Sequence, residues 1–323
     1  MSEISKILIT GSSGYCGHFL ACHFAAQGIP VVGLDIVPHL GVKDVPNFTF
    51  IKTDIRDRAA LEKIFLEEKP SHVLHLAFLM DPVHDKKYEY DVDVTGSKHV
   101  FELANATPGV RQFVLLSSAS AYGAWPNNPE FLTEEQPLRP RDYNYGIYKR
   151  EVENFYHNYP KRADMKLVIF RMCTAVGPSY YKAGGVVATV AKAPFMLDVR
   201  GGDGRVQFIH EEDVIALFDK VVNDADVEDT FNLAPPSYAT TRELGKSFGK
   251  KFIPLPLWLL RGIFWILWNL RIAALTPAIA RLMAHGIIVS PRKLTARYNY
   301  AFKYSAKAAF LDAVASRKAN GTL

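Results

Sequence analysis

Short apolar runs alternate with helical patterns through the first half of the 323-residue chain. The runs are KILIT (6–10), VVGLD (31–35), FTFIKTD (48–54), HVLHLA (72–77), QFVLLSS (112–118) and KLVIFR (166–171). Most are almost unbroken in apolarity, as strands covered on both faces must be, because neither side then meets water. Helical patterns near 16–27, 57–68, 88–105 and 144–159 fill the gaps. Strand and helix in strict turn predict parallel βαβ units, hence an α/β chain on a doubly wound parallel sheet. No repeat of fixed period interrupts them.

Beyond residue 173 the alternation loosens. Pro178, Pro194, Pro235, Pro236, Pro254 and Pro256 cut the chain into short pieces. GGDG at 201–204 predicts a tight turn before a strand RVQFIH. Glu211, Glu212 and Asp213 crowd the start of a helix VIALFDKVV, where carboxylates complement the helix dipole. The expected division is a first domain over 1–173 and a smaller, mixed C-terminal substrate-binding domain over 174–323, with room for some later segments to return to the first.

Composition is that of a globular chain: 49% hydrophobic, 22% charged, its 21 Gly and 19 Pro dispersed. Disordered, fibrous and low-complexity classes are thereby set aside. Three cysteines are too few for a disulfide framework, and Cys16 and Cys22 share one predicted helix. All three are expected to be reduced thiols in a cytoplasmic protein. No secretory pattern precedes KILIT, which points the same way. The net charge of +5 hides an asymmetry: residues 242–323 hold 14 Lys/Arg against Glu243 and Asp312, a balance of +12, so the first 241 residues carry −7. A basic C-terminal third suits a phosphate-bearing ligand or an anionic surface, or is simply a solvated face.

The segment FIPLPLWLLRGIFWILWNLRIAALTP (252–277) is interrupted by Arg261 and Arg271, too closely spaced for the roughly 20 apolar residues of a membrane span. With Trp258, Trp265 and Trp268 close to helical spacing, it is expected to be a buried or interface helix. A helix lying on a membrane surface is the less favoured reading.

Candidate chemistry begins at Gly11-Ser-Ser-Gly14-Tyr15-Cys16-Gly17, between the first strand and the first helix. One glycine permits the turn, one lets backbone amides approach a pyrophosphate, and one lets helix pack on strand. The pyrophosphate would sit at the positive helix end. Asp35 closes the second strand 18 residues after Gly17. Its carboxylate can accept from a ribose diol and would repel a 2′-phosphate, favouring NAD over NADP. Ser12, Ser13, Ile36 and Val37, none of them basic, agree. Asp54-Ile55 would meet the adenine.

Ser117-Ser118-Ala-Ser120 ends the fifth strand, and Tyr145-Gly-Ile-Tyr-Lys149 follows on a predicted helix. Four residues apart, Tyr145 and Lys149 share one face. An ammonium near the phenol, together with an oxidised nicotinamide, would lower its pKa toward neutral. Ser118 would hold the substrate oxygen while Tyr145 takes or returns its proton. His75, in an apolar strand, reads as a packed core histidine. His210 and Glu212 could suggest metal ligation, but no second pair stands at ligand spacing, so no metal is expected.

With these motifs the chain resembles the extended short-chain dehydrogenase/reductases, in particular the NAD-dependent epimerase/dehydratase family and its UDP-glucose 4-epimerase-like members. His75-Leu76-Ala77-Phe78, Val94-Thr-Gly-Ser97, Arg171-Met-Cys-Thr-Ala-Val-Gly-Pro178, Gln207-Phe-Ile-His-Glu-Glu-Asp-Val214, Phe231-Asn-Leu-Ala234 and Tyr300-Ala-Phe-Lys-Tyr-Ser305 add to it. The resemblance implies a Rossmann domain binding NAD, a C-terminal domain binding a nucleotide sugar, and a homodimer. It places Leu76, Ala77 and Phe78 at the cofactor and Cys173 near the nicotinamide. Ser118, Ser120, Thr174 and Arg205 become candidates on the substrate side, with Arg292 and Lys293 as looser phosphate contacts. Asp93 stands where the family usually has Asn, and Thr174 where nucleotide-sugar epimerases usually carry Asn.

Ala119, Ser120 and Ala121 cannot donate a proton at neutral pH, which disfavours elimination and decarboxylation. The expected function is NAD-dependent epimerisation of a nucleotide-diphosphate sugar through a keto intermediate. The alternative is a net dehydrogenase or reductase of a lipophilic hydroxy or keto substrate, similar to 3β-hydroxysteroid dehydrogenases. An intact Ser118/Tyr145/Lys149 set argues against a non-catalytic NAD-binding scaffold. The partner is a small molecule, and no nucleic acid is expected.

Overall fold

A computed structural model describes residues 4–38, 45–179 and 185–321. Its first half runs β1 (Ile7–Thr10), α1 (Tyr15–Ala26), β2 (Val31–Asp35), β3 (Phe48–Lys52), α2 (Arg58–Glu68), β4 (His72–His75), α3 (Lys86–Tyr90), α4 (Ser97–Ala106), β5 (Gln112–Ser118), α5 (Asn144–Asn158) and β6 (Lys166–Met172). The second half adds β7 (Thr174–Val176), α6 (Gly185–Lys192), β8 (Phe195–Val199), β9 (Arg205–Val206), β10 (Phe208–His210), α7 (Glu211–Val222), β11 (Asp229–Leu233), β12 (Ala239–Thr240), α8 (Thr241–Lys246) and β13 (Lys251–Leu255). Four helices close the chain: α9 (Leu257–Asn269), α10 (Pro277–Ala284), α11 (Arg292–Tyr298) and α12 (Ala306–Ala319).

Seven strands form one parallel sheet in the order β3-β2-β1-β4-β5-β6-β11. The chain winds outward from β1 to β3, then returns to β4 and winds the other way. The reversal leaves a crevice between β1 and β4 at the carboxyl ends, where such sheets bind ligands. Every residue of β1, β4 and β5 is buried, because apolar layers cover both sheet faces. This is the Rossmann-like doubly wound sheet that the alternation predicts. β11, from the second half, completes it beside β6.

The remaining strands make two-stranded pairings, β7 with β10, β9 with β12, and β8 with β13. Two smaller apolar clusters hold this region, one around Phe208 and Phe310 and the other around Leu260 and Phe264.

Three details differ from the sequence expectations. The helix expected over 88–105 is interrupted by a wider π turn at Asp91–Gly96. There Gly96 packs so closely that a Cβ would lie 2.6 Å from the Ile55 side chain, and the extra residue in the turn accommodates Asp93, whose carboxylate accepts from the Leu79 amide at 2.8 Å. RVQFIH breaks at Gln207 into β9 and β10, because that side chain hydrogen-bonds Pro235 and both backbone groups of Val289. The apolar 252–277 segment, expected as one buried or interface helix, divides between β13, α9 and the start of α10, and the helix is mostly not buried. Of the 13 residues of α9 only Leu260 and Phe264 are buried, since it packs chiefly on α10 and the β8–β13 pair. Among the described residues no helix is long and apolar enough to cross a membrane.

Candidate cofactor and active site

The first turn after β1 is shaped by glycine. Gly11 adopts φ +73°, and a Cβ there would stand 2.6 Å from the Ala77 nitrogen. A Cβ on Gly17 would meet the Gly11 carbonyl oxygen at 2.0 Å, so α1 can begin against the strand end only with glycine there. The Gly14 amide donates to Gly11 at 3.0 Å and closes the turn. α1 has no side-chain cap and no acid in its first turn, the arrangement that suits a pyrophosphate at the positive helix end. The turn and the crevice therefore fit a dinucleotide.

Asp35 ends β2, half-buried, and accepts from the amides of Ser13 at 3.0 Å and Ile36 at 2.7 Å. A carboxylate has about four acceptor positions, so this anchored carboxylate retains capacity for a ribose diol. Asp54 is gripped bidentately by Arg56, which holds its carboxyl below the usual range. Both line a hollow of about 590 Å³ with Asp57, Asp91 and Thr95. Ile55 is buried under Gly96. The Leu76 amide donates to the Thr10 carbonyl at 3.1 Å, extending the β1–β4 register to the crevice. The Tyr15 hydroxyl is committed to Glu211 at 2.7 Å, so its side chain ties α1 to α7, while its backbone opens α1.

Ser118 is the last residue of β5, and its Oγ accepts from the Ser120 amide at 3.1 Å, capping a short 3₁₀ turn over Ala119–Tyr122. α5 lies against this turn because Gly146 leaves room: a Cβ there would be 2.4 Å from the Ser120 carbonyl oxygen. The approach brings the half-buried Tyr145 near Ser118, close enough for the serine hydroxyl to lower the phenol's pKa. One turn on, Lys149 is buried, donates to the Leu116 carbonyl at 2.7 Å, and stands 3.6 Å from the Phe78 ring centre and 5.6 Å from that of Tyr145. The Phe78 ring meets Tyr145 edge-on at 5.3 Å. Ser118, Tyr145, Lys149 and Phe78 are thus one cluster, with Cys16 close enough to exchange charge effects with both Tyr145 and Lys149.

The chain's own groups do not by themselves draw Tyr145 toward neutral pH; the expectation pairs Lys149 with the positive charge of an oxidised nicotinamide. Burial, then the charges of Tyr143 and Asp93, push the Tyr145 phenol well above its usual range, and the Ser118 hydrogen bond only partly opposes them. Burial also lowers Lys149 to about 7, against the pull of Asp93, Glu153 and Cys16. A buried ammonium whose pKa is lowered is more readily deprotonated than a solvated lysine. Asp93, at the usual Asn position, is buried and raised to about 7, against the Leu79 amide and Lys149. Its Oδ2 has no hydrogen-bond partner. The Asp93 carbonyl accepts from the Ser97 hydroxyl, which meets His75 at 2.8 Å, and His75 meets Thr10 at 2.7 Å. His75 is therefore the packed core histidine its strand suggests, lowered to about 3 by burial and then by Lys149.

Beside Tyr145 opens a cavity of about 180 Å³ whose walls include Met80, Glu89, Tyr143, Asn144, Trp268 and Thr276. Trp268, on α9, stacks on His84 at 3.8 Å. Asp142, three residues before Tyr145, binds Arg261 of α9 at 3.0 Å and Arg281 of α10 at 3.4 Å. None of these wall residues is recognisable from motif spacing, because Trp268 and Thr276 arrive from a segment more than 120 residues beyond Tyr145. Apolar helical spacing was the only signal they carried.

Thr174 is exposed at the start of β7, and neither it nor Arg205 lines that cavity. The Arg205 guanidinium is held by Asp203 at 2.9 Å. Lys293 pairs with Asp229, which opens β11 and so lies at the sheet edge opposite the crevice. Cys173 is buried, and burial pushes its thiol far up. Sequence reasoning also missed the buried pair behind the cluster: Glu153 binds Arg171 at 2.8 Å and accepts from Ser117. Among the described residues no group of three or more His, Cys, Asp or Glu could hold a metal.

A Rossmann-like sheet with a glycine turn at the switch point and a Ser-Tyr-Lys cluster at the strand ends defines an extended short-chain dehydrogenase/reductase, an NAD-dependent enzyme class. Residues 7–234 match the model of the NAD dependent epimerase/dehydratase family, and the chain belongs to that family. Among relatives, UDP-glucose 4-epimerase 2 of Oryza sativa subsp. japonica is 28% identical over 295 residues, covering 78% of this chain and 71% of its own. UDP-glucose 4-epimerase of Mycolicibacterium smegmatis is 30% identical over 258 residues, covering 74% and 80%. In fold, the chain superposes on the Bordetella bronchiseptica enzyme WbmG, crystallised with NAD and UDP, with TM-score 0.79 at 21% identity over 99% of this chain and 96% of that one.

Proposed function

We propose that the protein epimerises a nucleotide-diphosphate sugar, using NAD that is regenerated within each cycle. The observation that carries this reading is Tyr145 in the wall of a cavity, with Ser118 beside it and Lys149 one helical turn behind it. Gly11, Gly14 and Gly17 with the start of α1 would hold the pyrophosphate, Asp35 the adenosine ribose, and Asp54 and Ile55 the adenine side. When bound, oxidised NAD supplies a hydride acceptor and a positive charge beside Tyr145.

Ser118 positions the sugar hydroxyl through its Oγ. Tyr145 Oη takes the hydroxyl proton as the carbinol becomes a ketone, and returns it when the carbinol re-forms with opposite configuration. Lys149 supports the phenolate while protonated and contacts the nicotinamide ribose. Ala119, Ser120 and Ala121 supply no acid for a leaving group, so the substrate keeps its hydroxyls. The relatives named UDP-glucose 4-epimerase support a uridine nucleotide as the first to test. A homodimer in the cytoplasm belongs to the same reading.

Thermal unfolding of NAD-loaded protein against UDP, dTDP, GDP and CDP tests the ligand class. A nucleotide at a hundred times its dissociation constant adds about 2.7 kcal/mol. Tyr145→Phe is expected to cut turnover by about 10²–10⁴-fold while leaving that nucleotide stabilisation in place; unchanged turnover overturns the assignment. A second reading, net oxidation or reduction of a lipophilic alcohol or ketone, is favoured by the Met80 and Trp268 side chains in the cavity wall. Stabilisation by a hydroxysteroid and by no nucleotide would select it.

A further inference from the structure

Most of the large apolar side chains that the described residues leave exposed lie in one stretch of chain. Trp258 is 73% exposed, Trp265 58%, Ile266 50%, Leu270 65% and Ile272 66%, and Ile253 on the preceding β13 is 40% exposed. Positions 258, 262, 265, 266 and 269 fall on one face of α9. All five are exposed, and Gly262 at their centre would meet nothing within 4 Å if given a Cβ.

The end of the helix extends the same face. Arg271 takes a left-handed φ of +57°, unusual for a residue other than glycine. Its amide donates to Trp268 at 3.0 Å and the Ile272 amide to Leu267 at 2.9 Å. This closed turn leaves Leu270, Arg271 and Ile272 exposed side by side. A soluble monomer rarely shows an apolar patch of this kind unless something covers it.

Charge says what covers it. No Asp or Glu occurs between Glu243 and Asp312, while eleven Lys and Arg do, five of which (Arg261, Arg281, Lys293, Arg297 and Lys303) pair with carboxylates from other segments. Arg271 within the patch and Lys251 at the start of β13 are both exposed. Tryptophan and aliphatic side chains on one helix face with arginine and lysine at its margins are what an anionic lipid surface binds: rings enter the headgroup boundary and cations meet phosphates. A second protein copy would bring the same positive charge against itself.

We infer that the exposed face of α9 docks on an anionic lipid bilayer, with the helix lying in the interface and the rest of the protein in water. Trp265 on that face and Trp268 in the cavity wall are three residues apart, so neighbours on the helix surface. Docking would set the cavity mouth beside the headgroups, held there by the Asp142 pairs to Arg261 and Arg281.

The test is co-sedimentation of the whole protein with phosphatidylcholine vesicles, with and without phosphatidylglycerol, together with tryptophan emission and the oligomeric state in solution. It requires no turnover and is independent of the epimerase reading. Binding to the anionic vesicles, weakening with added salt, and a blue-shifted emission are expected. In Trp258→Gln/Trp265→Gln the partition onto anionic vesicles should fall at least tenfold, with the thermal midpoint and its shift by NAD retained. Failure of the unaltered protein to bind anionic vesicles overturns the inference. So does equal binding by the double variant, or a dimer that the double substitution converts to monomer, which would assign the face to a second copy.

Discussion

Two of the most apolar stretches of this chain end in opposite circumstances. QFVLLSS becomes β5, all seven residues buried at the centre of the sheet. LWLLRGIFWILWN becomes α9, which buries two of thirteen. The difference lies in partners. β5 has β4 and β6 along its edges and helices on both faces, whereas α9 packs chiefly on α10 and a two-stranded pair. Apolarity states that a segment avoids water; it does not state against what.

The same contrast appears in the ion pairs that anchor each region. Behind β5, Arg171 and Glu153 are 8% and 1% exposed; Ser117 donates to Glu153, and Arg171 donates to Tyr122. At α9, Arg261 and Asp142 are 34% and 30% exposed. Glu153→Gln leaves the Arg171 charge buried without its counter-ion and is expected to cost about 3–5 kcal/mol in denaturant unfolding. A loss below about 1 kcal/mol would mean that the buried cluster does not hold the sheet's end in place.

Asp93→Asn tests the middle of the site. Asp93 raises the pKa of Lys149 and also that of Tyr145. Removing its charge lowers both: Lys149 then loses its proton, and Tyr145 becomes a phenolate, at lower pH. The pH–rate profile as a whole should move to lower pH, by about one unit, and a profile that stays in place would show that neither group limits turnover. Arg261→Ala is the smallest expected effect, at most about 1 kcal/mol of stability because the pair is largely solvated. Its signature belongs in KM, through the wall that Trp268 and Thr276 contribute, and a kcat change alone would place α9 outside substrate binding.

How far the candidate site could be read in the sequence follows the range of the constraint. Gly11, Gly14 and Gly17 are recognisable because one backbone turn demands all three within seven residues. Tyr145 and Lys149 are recognisable because a helix puts them on one face, and Ser118 because it closes a strand. His84 and Trp268 escape because each acquires its meaning from a residue far along the chain, and Glu153 and Arg171 because they meet only where α5 packs on the sheet. The electrostatics escape for the same reason: Lys149 reads as a cation that helps a tyrosine, and only the fold shows that burial lowers its pKa.

Local rules, period-two and period-3.6 patterning with glycine turns, were enough to predict the parallel sheet and to single out the glycine turn that follows its first strand. They act over spans of a few to some twenty residues, which is within the reach of a pattern. The cavity wall, the protonation of the Asp93–Lys149 pair and the bare face of α9 were decided by the tertiary structure alone. Each depends on which distant surfaces meet and how much water they exclude, and no local pattern carries that quantity.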